Sequence, residues 1–237
     1  MGIPRLTTIG FDADDTLWQN ERFFRQTEKL FAALLADQVQ EEVVLAALLE
    51  AERRNLCIYG FGIKGFTLSM IETAIAVTGG RVSGDTLARI LAAGRDMLAH
   101  PIEIMPYVRD TLEHLSGRYR LVLVTKGDLF DQERKLAQSG LAGLFDAVEI
   151  VSDKSAETYR RVFSRHGDGP VSSMMIGNSL KSDVVPAIEA GGWGVHVPHE
   201  LTWVLEHLEP PREISRFREI AHLGELPALI ASIEAGK

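Results

Sequence analysis

Four short apolar runs, each preceded or followed by a stretch of helical periodicity, constrain this chain most: Tyr119–Val124, Ala147–Val151, Val171–Ile176 and Trp193–Val197. Helical patterns cover Val108–Leu115, Leu129–Ser139, Ala156–Arg165 and a stretch from Gly177-Asn178-Ser179 to Gly191. Strands alternating with helices of about 10–15 residues give βαβ units and a parallel sheet. A fifth strand is predicted far upstream, where Leu6, Ile9 and Phe11 have β-branched Thr7 and Thr8 between them. Between this strand and the others, from about Glu21 to about His100, apolar residues recur at helical spacing, as in Phe23, Thr27, Leu30, Phe31 and Leu34. Gly79-Gly80 followed by Ser83 reads as a helix stop and a new N-cap. The tail from about Leu201 reads as helix-rich, with Leu226–Ile233 as its last helix. The expected architecture is therefore α/β: a Rossmann-like parallel-sheet core from residues 1–20 and 101–237, with an inserted α-helical cap over 21–100.

The upstream strand runs into FDADDT, which places Asp12, Asp14 and Asp15 within four residues, followed by Thr16. The carboxyl ends of strands are where open parallel sheets place their ligands. Like charges this close are tolerable around a divalent cation. Taken alone, the motif also reads as a surface acidic turn with Asp15 capping the next helix.

Bulk properties narrow the class. The chain has 237 residues and 24% charged residues, which favours a folded globular protein over a disordered one. Its formal net charge of −8 argues against general nucleic-acid binding and makes each lysine near the strand ends worth naming. The single cysteine, Cys57, excludes an internal disulfide and a cysteine-based zinc site, and it reads as a small buried hydrophobe. No apolar run is long enough to span a membrane. The first residues lack a basic segment followed by an apolar one. The expected location is the cytoplasm.

Four strand ends carry a resemblance. They hold Asp12-x-Asp14-x-Thr16, then Thr125-Lys126-Gly127, then the segment before Lys154 in SDKSAETYRRVF, then Gly177-Asn178-Ser179 with Asp183. In this order and at these positions they resemble the haloacid dehalogenase-like hydrolase superfamily, and the large helical insert is similar to its commonest cap. The resemblance implies a magnesium-dependent phosphatase that hydrolyses a small phosphomonoester through an aspartyl-phosphate. Asp12 would be the nucleophile. Asp14 would be the general acid and then the base; relatives that displace halide lack that Asp. Thr125 would hydrogen-bond a phosphoryl oxygen, and Lys154 would screen the carboxylates and bind transition-state charge. Thr125, Lys126, Gly127 and Lys154 form the implied substrate-binding set. Asp12, the Asp14 backbone carbonyl, Asn178 and Asp183 form the implied Mg2+ set. Asn178 stands where the family usually has a metal-binding acid, so weaker metal affinity is expected.

Several readings stay open. Lys126 stands where the family often has a small polar residue; it would favour a second substrate anion or merely offset Asp128. Lys154 alone could be a solvated helix-start lysine, and Asp183 alone an N-cap. The family's cap sets specificity, and Tyr59, Phe61 and Lys64, taken as lying on one Gly-rich loop, are the expected lid residues. His199 reads as an ordinary loop histidine. The alternatives to a phosphatase are a mutase or phosphonate-cleaving relative, and a catalytically weak member with a binding role. The expected partner is a small phosphorylated metabolite, with the protein a monomer or homodimer that contacts neither nucleic acid nor membrane.

Overall fold

The computed structural model describes residues 5–236, so the first four residues and the last of the expected core segments lie outside it. The strands are β1 (Thr8–Phe11), β2 (Arg120–Lys126), β3 (Ala147–Val151), β4 (Ser173–Gly177), β5 (Trp193–His196) and β6 (Phe217–Glu219). All pairings are parallel, in the order β3-β2-β1-β4-β5-β6. The helices are α1 (Glu21–Leu34), α2 (Glu41–Tyr59), α3 (Ile63–Val77), α4 (Gly84–Ala99), α5 (Val108–Leu115), α6 (Leu129–Ser139), α7 (Ala156–His166), α8 (Val185–Glu189) and α9 (Leu226–Glu234).

Alternation along the strands sorts side chains to two faces. Leu121 and Leu123 of β2 join Ile9, Phe11, Met174 and Ile176 in one core, with Leu112 of α5 and Ile230 of α9. Val122 and Val124 join Met175 in the other, under Tyr159, Val162 and Phe163 of α7. Those three residues fall at i, i+3 and i+4 on α7, and Ser155 caps its first turn by accepting from the Thr158 N–H at 3.2 Å. With both faces covered, β1 and β4 are buried at every position.

Compactness divides the chain into two units. One comprises the residues up to Glu21, Ile102–Lys126 and those from Glu133 onward; it holds the sheet. The other comprises Arg22–Pro101 and Gly127–Gln132. Its helices close on Phe31, Leu35, Val44, Leu48, Phe66 and Met70. Ser83 caps α4, accepting from the Thr86 N–H at 3.0 Å.

The structure corrects several expectations. A sixth strand, β6, stands in the tail read as helix-rich; three residues are too few to show a period. After β4 the chain makes a π-helical turn over Leu180–Val184 before the short α8, not one continuous helix. Tyr59 ends α2 and Lys64 lies in the first turn of α3, so the loop they were assigned to is only residues 60–62. Cys57 is exposed, because it falls on the outer side of α2. Among the described residues, no helix is long and apolar enough to cross a membrane.

Candidate active site

The site grows from the end of β1. The Asp12 N–H still donates to the Ile176 carbonyl of β4 at 2.8 Å, which anchors Asp12 at the sheet edge. The chain then turns: the N–H groups of Thr16 and Leu17 both reach back to the Ala13 carbonyl, at 3.2 and 2.8 Å. Asp15 sits at the left-handed φ of 61°. Its carboxylate accepts from the Asn20 and Glu21 N–H groups, so it does cap α1, but from a buried position and not on a surface. Burial raises its pKa to about 6, against the pull of His199 and of those N–H groups. His199 has its Nε2 only 3.7 Å from Asp15 Oδ1.

Two distant segments converge near Asp12, with Thr16 from its own turn. The Lys154 ammonium donates to Asp12 Oδ1 and, at 2.6 Å, to Asp183 Oδ1. Thr16 Oγ1 lies 3.0 Å from Asp12 Oδ2 and 3.3 Å from Asn178 Oδ1, and it accepts from the Asn178 N–H at 3.0 Å. A chain of contacts thus links Asn178, Thr16, Asp12, Lys154 and Asp183. Lys154 is almost wholly buried, which removes its reading as a solvated helix-start lysine. Asp183 lies inside the π-helical turn and accepts from the Ser179 N–H at 3.0 Å, so it closes that turn in addition to meeting Lys154. Gly177 permits this: a Cβ there would lie 2.2 Å from Asp183 Oδ2.

The electrostatics follow from the count of charges. Burial disfavours the Lys154 ammonium, but Asp12 and Asp183 together outweigh it and raise its pKa above the ordinary lysine value. One ammonium cannot neutralise two buried carboxylates. Burial and then Asp183 therefore push Asp12 up to about 7, against the pull of Lys154.

Asp14 leaves this chain. Its Oδ1 accepts from the Trp18 indole N–H at 2.7 Å and the Lys135 ammonium at 2.9 Å. Lys135 also donates to Asn20 Oδ1 at 3.0 Å. Thr125 is buried at the end of β2, and its hydroxyl lies 3.3 Å from the Lys126 carbonyl. Asp128 pairs with Lys64 at 2.9 Å. The Lys126 ammonium meets Glu206 at 2.8 Å and Ser182 at 2.7 Å. Gly127 groups with the helical unit.

Sequence reasoning missed Lys135, Glu206 and Tyr159. Tyr159 is fully buried and donates to the Ser182 carbonyl at 2.9 Å, which supports the turn that carries Asp183. Lys135 left one signal: Asp131, Gln132, Lys135 and Ser139 recur at helical spacing as a buried polar stripe on α6.

A hard divalent cation suits this donor set in its chemistry. The oxygens of Asp12, Asp183 and Asn178 and the Asp14 backbone carbonyl are all hard ligands, and the buried cluster carries excess negative charge. Among the described residues, no group of three carboxylates, imidazoles or thiolates already stands as a metal cage.

The haloacid dehalogenase-like hydrolase family model matches residues 6–191. The chain belongs to this family. A haloacid dehalogenase-like family hydrolase from Xanthomonas campestris superposes with a TM-score of 0.86 at 41% identity, over 99% of this chain and 97% of that one. The glyceraldehyde 3-phosphate phosphatase of Methanothermobacter thermautotrophicus is 25% identical over 210 residues, 83% of this chain and 88% of that protein. The N-acylneuraminate-9-phosphatase of Mus musculus is 24% identical over 248 residues, 99% and 97% of the two chains. The Rossmann-like sheet expected of a haloacid dehalogenase-like hydrolase is the sheet observed.

Proposed function

We propose that this hydrolase is a phosphatase that cleaves a small phosphomonoester through an aspartyl-phosphate on Asp12. The observation that carries the reading is the Lys154 ammonium bridging Asp12 and Asp183 at the sheet edge. The two phosphatases similar to this chain point the same way.

In the first step an Asp12 carboxylate oxygen attacks phosphorus and the ester P–O bond breaks. The leaving alkoxide takes a proton from Asp14. In the second step Asp14, now a carboxylate, removes a proton from water, and that water's oxygen attacks the same phosphorus. The acyl phosphate bond breaks, which returns Asp12 as a carboxylate and releases inorganic phosphate. Lys154 and the Thr125 hydroxyl bind the equatorial phosphoryl oxygens as charge spreads over them. Trp18 and Lys135 fix the orientation of Asp14 before substrate arrives. Asp12, the Asp14 backbone carbonyl, Asn178 and Asp183 would hold Mg2+. That ion, when bound, supplies charge neutralisation for the transferring group.

The substrate in this reading is a small phosphorylated metabolite. Phosphate release from p-nitrophenyl phosphate with magnesium tests it. The parent turns over and Asp12→Asn does not. Equal rates in the two proteins, or no turnover across a broad panel of phosphomonoesters, would remove the reading.

A further inference from the structure

The Lys126 ammonium belongs to the edge that carries Thr125, yet it is committed to a partner from the tail. Lys126 ends β2, and Ser182 lies on the turn after β4. The Lys126 side chain thus ties the end of β2 to the turn after β4, with Ser182 at 2.7 Å and Glu206 at 2.8 Å, while β1, which runs into Asp12, lies between those two strands. The pair is largely sheltered: the Lys126 and Glu206 side chains are 13% and 16% exposed. Glu206 is bound on both oxygens, with Lys126 on Oε1 and the Ser179 and Ser182 hydroxyls on Oε2. The Lys181 ammonium holds the residue before Glu206 as well, donating to the Leu205 carbonyl at 2.8 Å.

Resting on the phosphatase reading, we infer that Glu206 determines specificity by masking Lys126. A cation beside the phosphoryl site would attract a second anionic group on the substrate. Glu206 cancels that cation and adds no free charge. The site thus selects phosphomonoesters whose remainder is neutral and selects against those that carry a carboxylate or a second phosphate. Glu206 acts through Lys126 and touches no reacting atom, so it is a positioning and specificity residue, not a catalytic one.

Two substrates that differ only in this respect test it: ethylene glycol monophosphate, with a neutral tail, and phosphoglycolate, with a carboxylate. The parent favours the neutral one in kcat/KM. Glu206→Gln unmasks Lys126 and moves the ratio toward phosphoglycolate by about tenfold, the effect of one sheltered unit charge several ångströms away. Lys126→Met leaves Glu206 uncompensated and moves the ratio the opposite way. This second variant decides the matter if the first does not fold. The double variant returns the ratio to that of the parent. A merely structural pair lowers both substrates alike and leaves the ratio unchanged; that result overturns the inference while the phosphatase reading stands. A parent that hydrolyses neither ester nor p-nitrophenyl phosphate overturns both.

Discussion

Asp14 shows how much of this site is carried by single residues that no motif contains. Its carboxylate is held by Trp18 four residues on and by Lys135 from α6. Lys135→Met should lower kcat by up to about a hundredfold, the cost of an ångström-scale misplacement of a catalytic group. If Lys135 works through Asp14, the double variant with Asp14→Asn is no slower than Asp14→Asn alone; multiplicative losses would show an independent role. Asn178 makes the second case. Replacing its amide with a carboxylate adds one unit charge beside the proposed cation, so Asn178→Asp should bind Mg2+ roughly tenfold more tightly by calorimetry. Equal affinities would mean that Asn178 does not face the ion.

At the scale of elements, the turn after β4 concentrates the site's tolerances. Gly177→Ala would place a methyl group 2.2 Å from Asp183 Oδ2. Neither can retreat easily, since Asp183 is tied to Lys154 and to the Ser179 N–H. The expected cost is about 1–3 kcal/mol, the usual range for overpacking, read as a lower melting temperature. A melt unchanged from the parent would show that the turn yields. The same turn marks where the sequence stops being legible. β2 through β5 could be read as short apolar runs, and α5 through α7 because they are long enough to show a period of 3.6 residues. The π-helical turn and β6 could not, because each is only a few residues long and is set by its neighbours: Asp183 closes the turn, and β5 pairs with β6. Asp12, Lys154 and Asp183 were legible through order and strand ends. Lys135 and Glu206 were not, because their partners are 121 and 80 residues away; the polar stripe on α6 marks the face that Lys135 occupies but not the group it meets.

For the whole molecule, the ion pairs that join distant segments tie stability to pH. Burial raises the Glu206 pKa, but the Lys126 ammonium and the serine hydroxyls outweigh it and hold the group below its ordinary value of 4.5. A depressed carboxyl pKa stabilises the fold above the unfolded-state value, and that contribution is lost as the pH falls through the folded-state value. Glu206→Gln should therefore be less stable than the parent near neutral pH, with the gap closing below about pH 4.5 in denaturant melts. A gap that stays constant into acid would assign the loss to packing. The central claim, that this α/β edge moves a phosphoryl group onto Asp12, has a more direct test. The Asp14→Asn variant lacks the base for the second step, so acid quench after mixing with p-nitrophenyl phosphate and magnesium should trap a phosphoryl group. Peptide mass spectrometry should find that group on the fragment carrying Asp12, and on no fragment from the Asp12→Asn variant. Phosphate released with Asp12 unmodified, or a phosphoryl group on any other residue, would contradict the account.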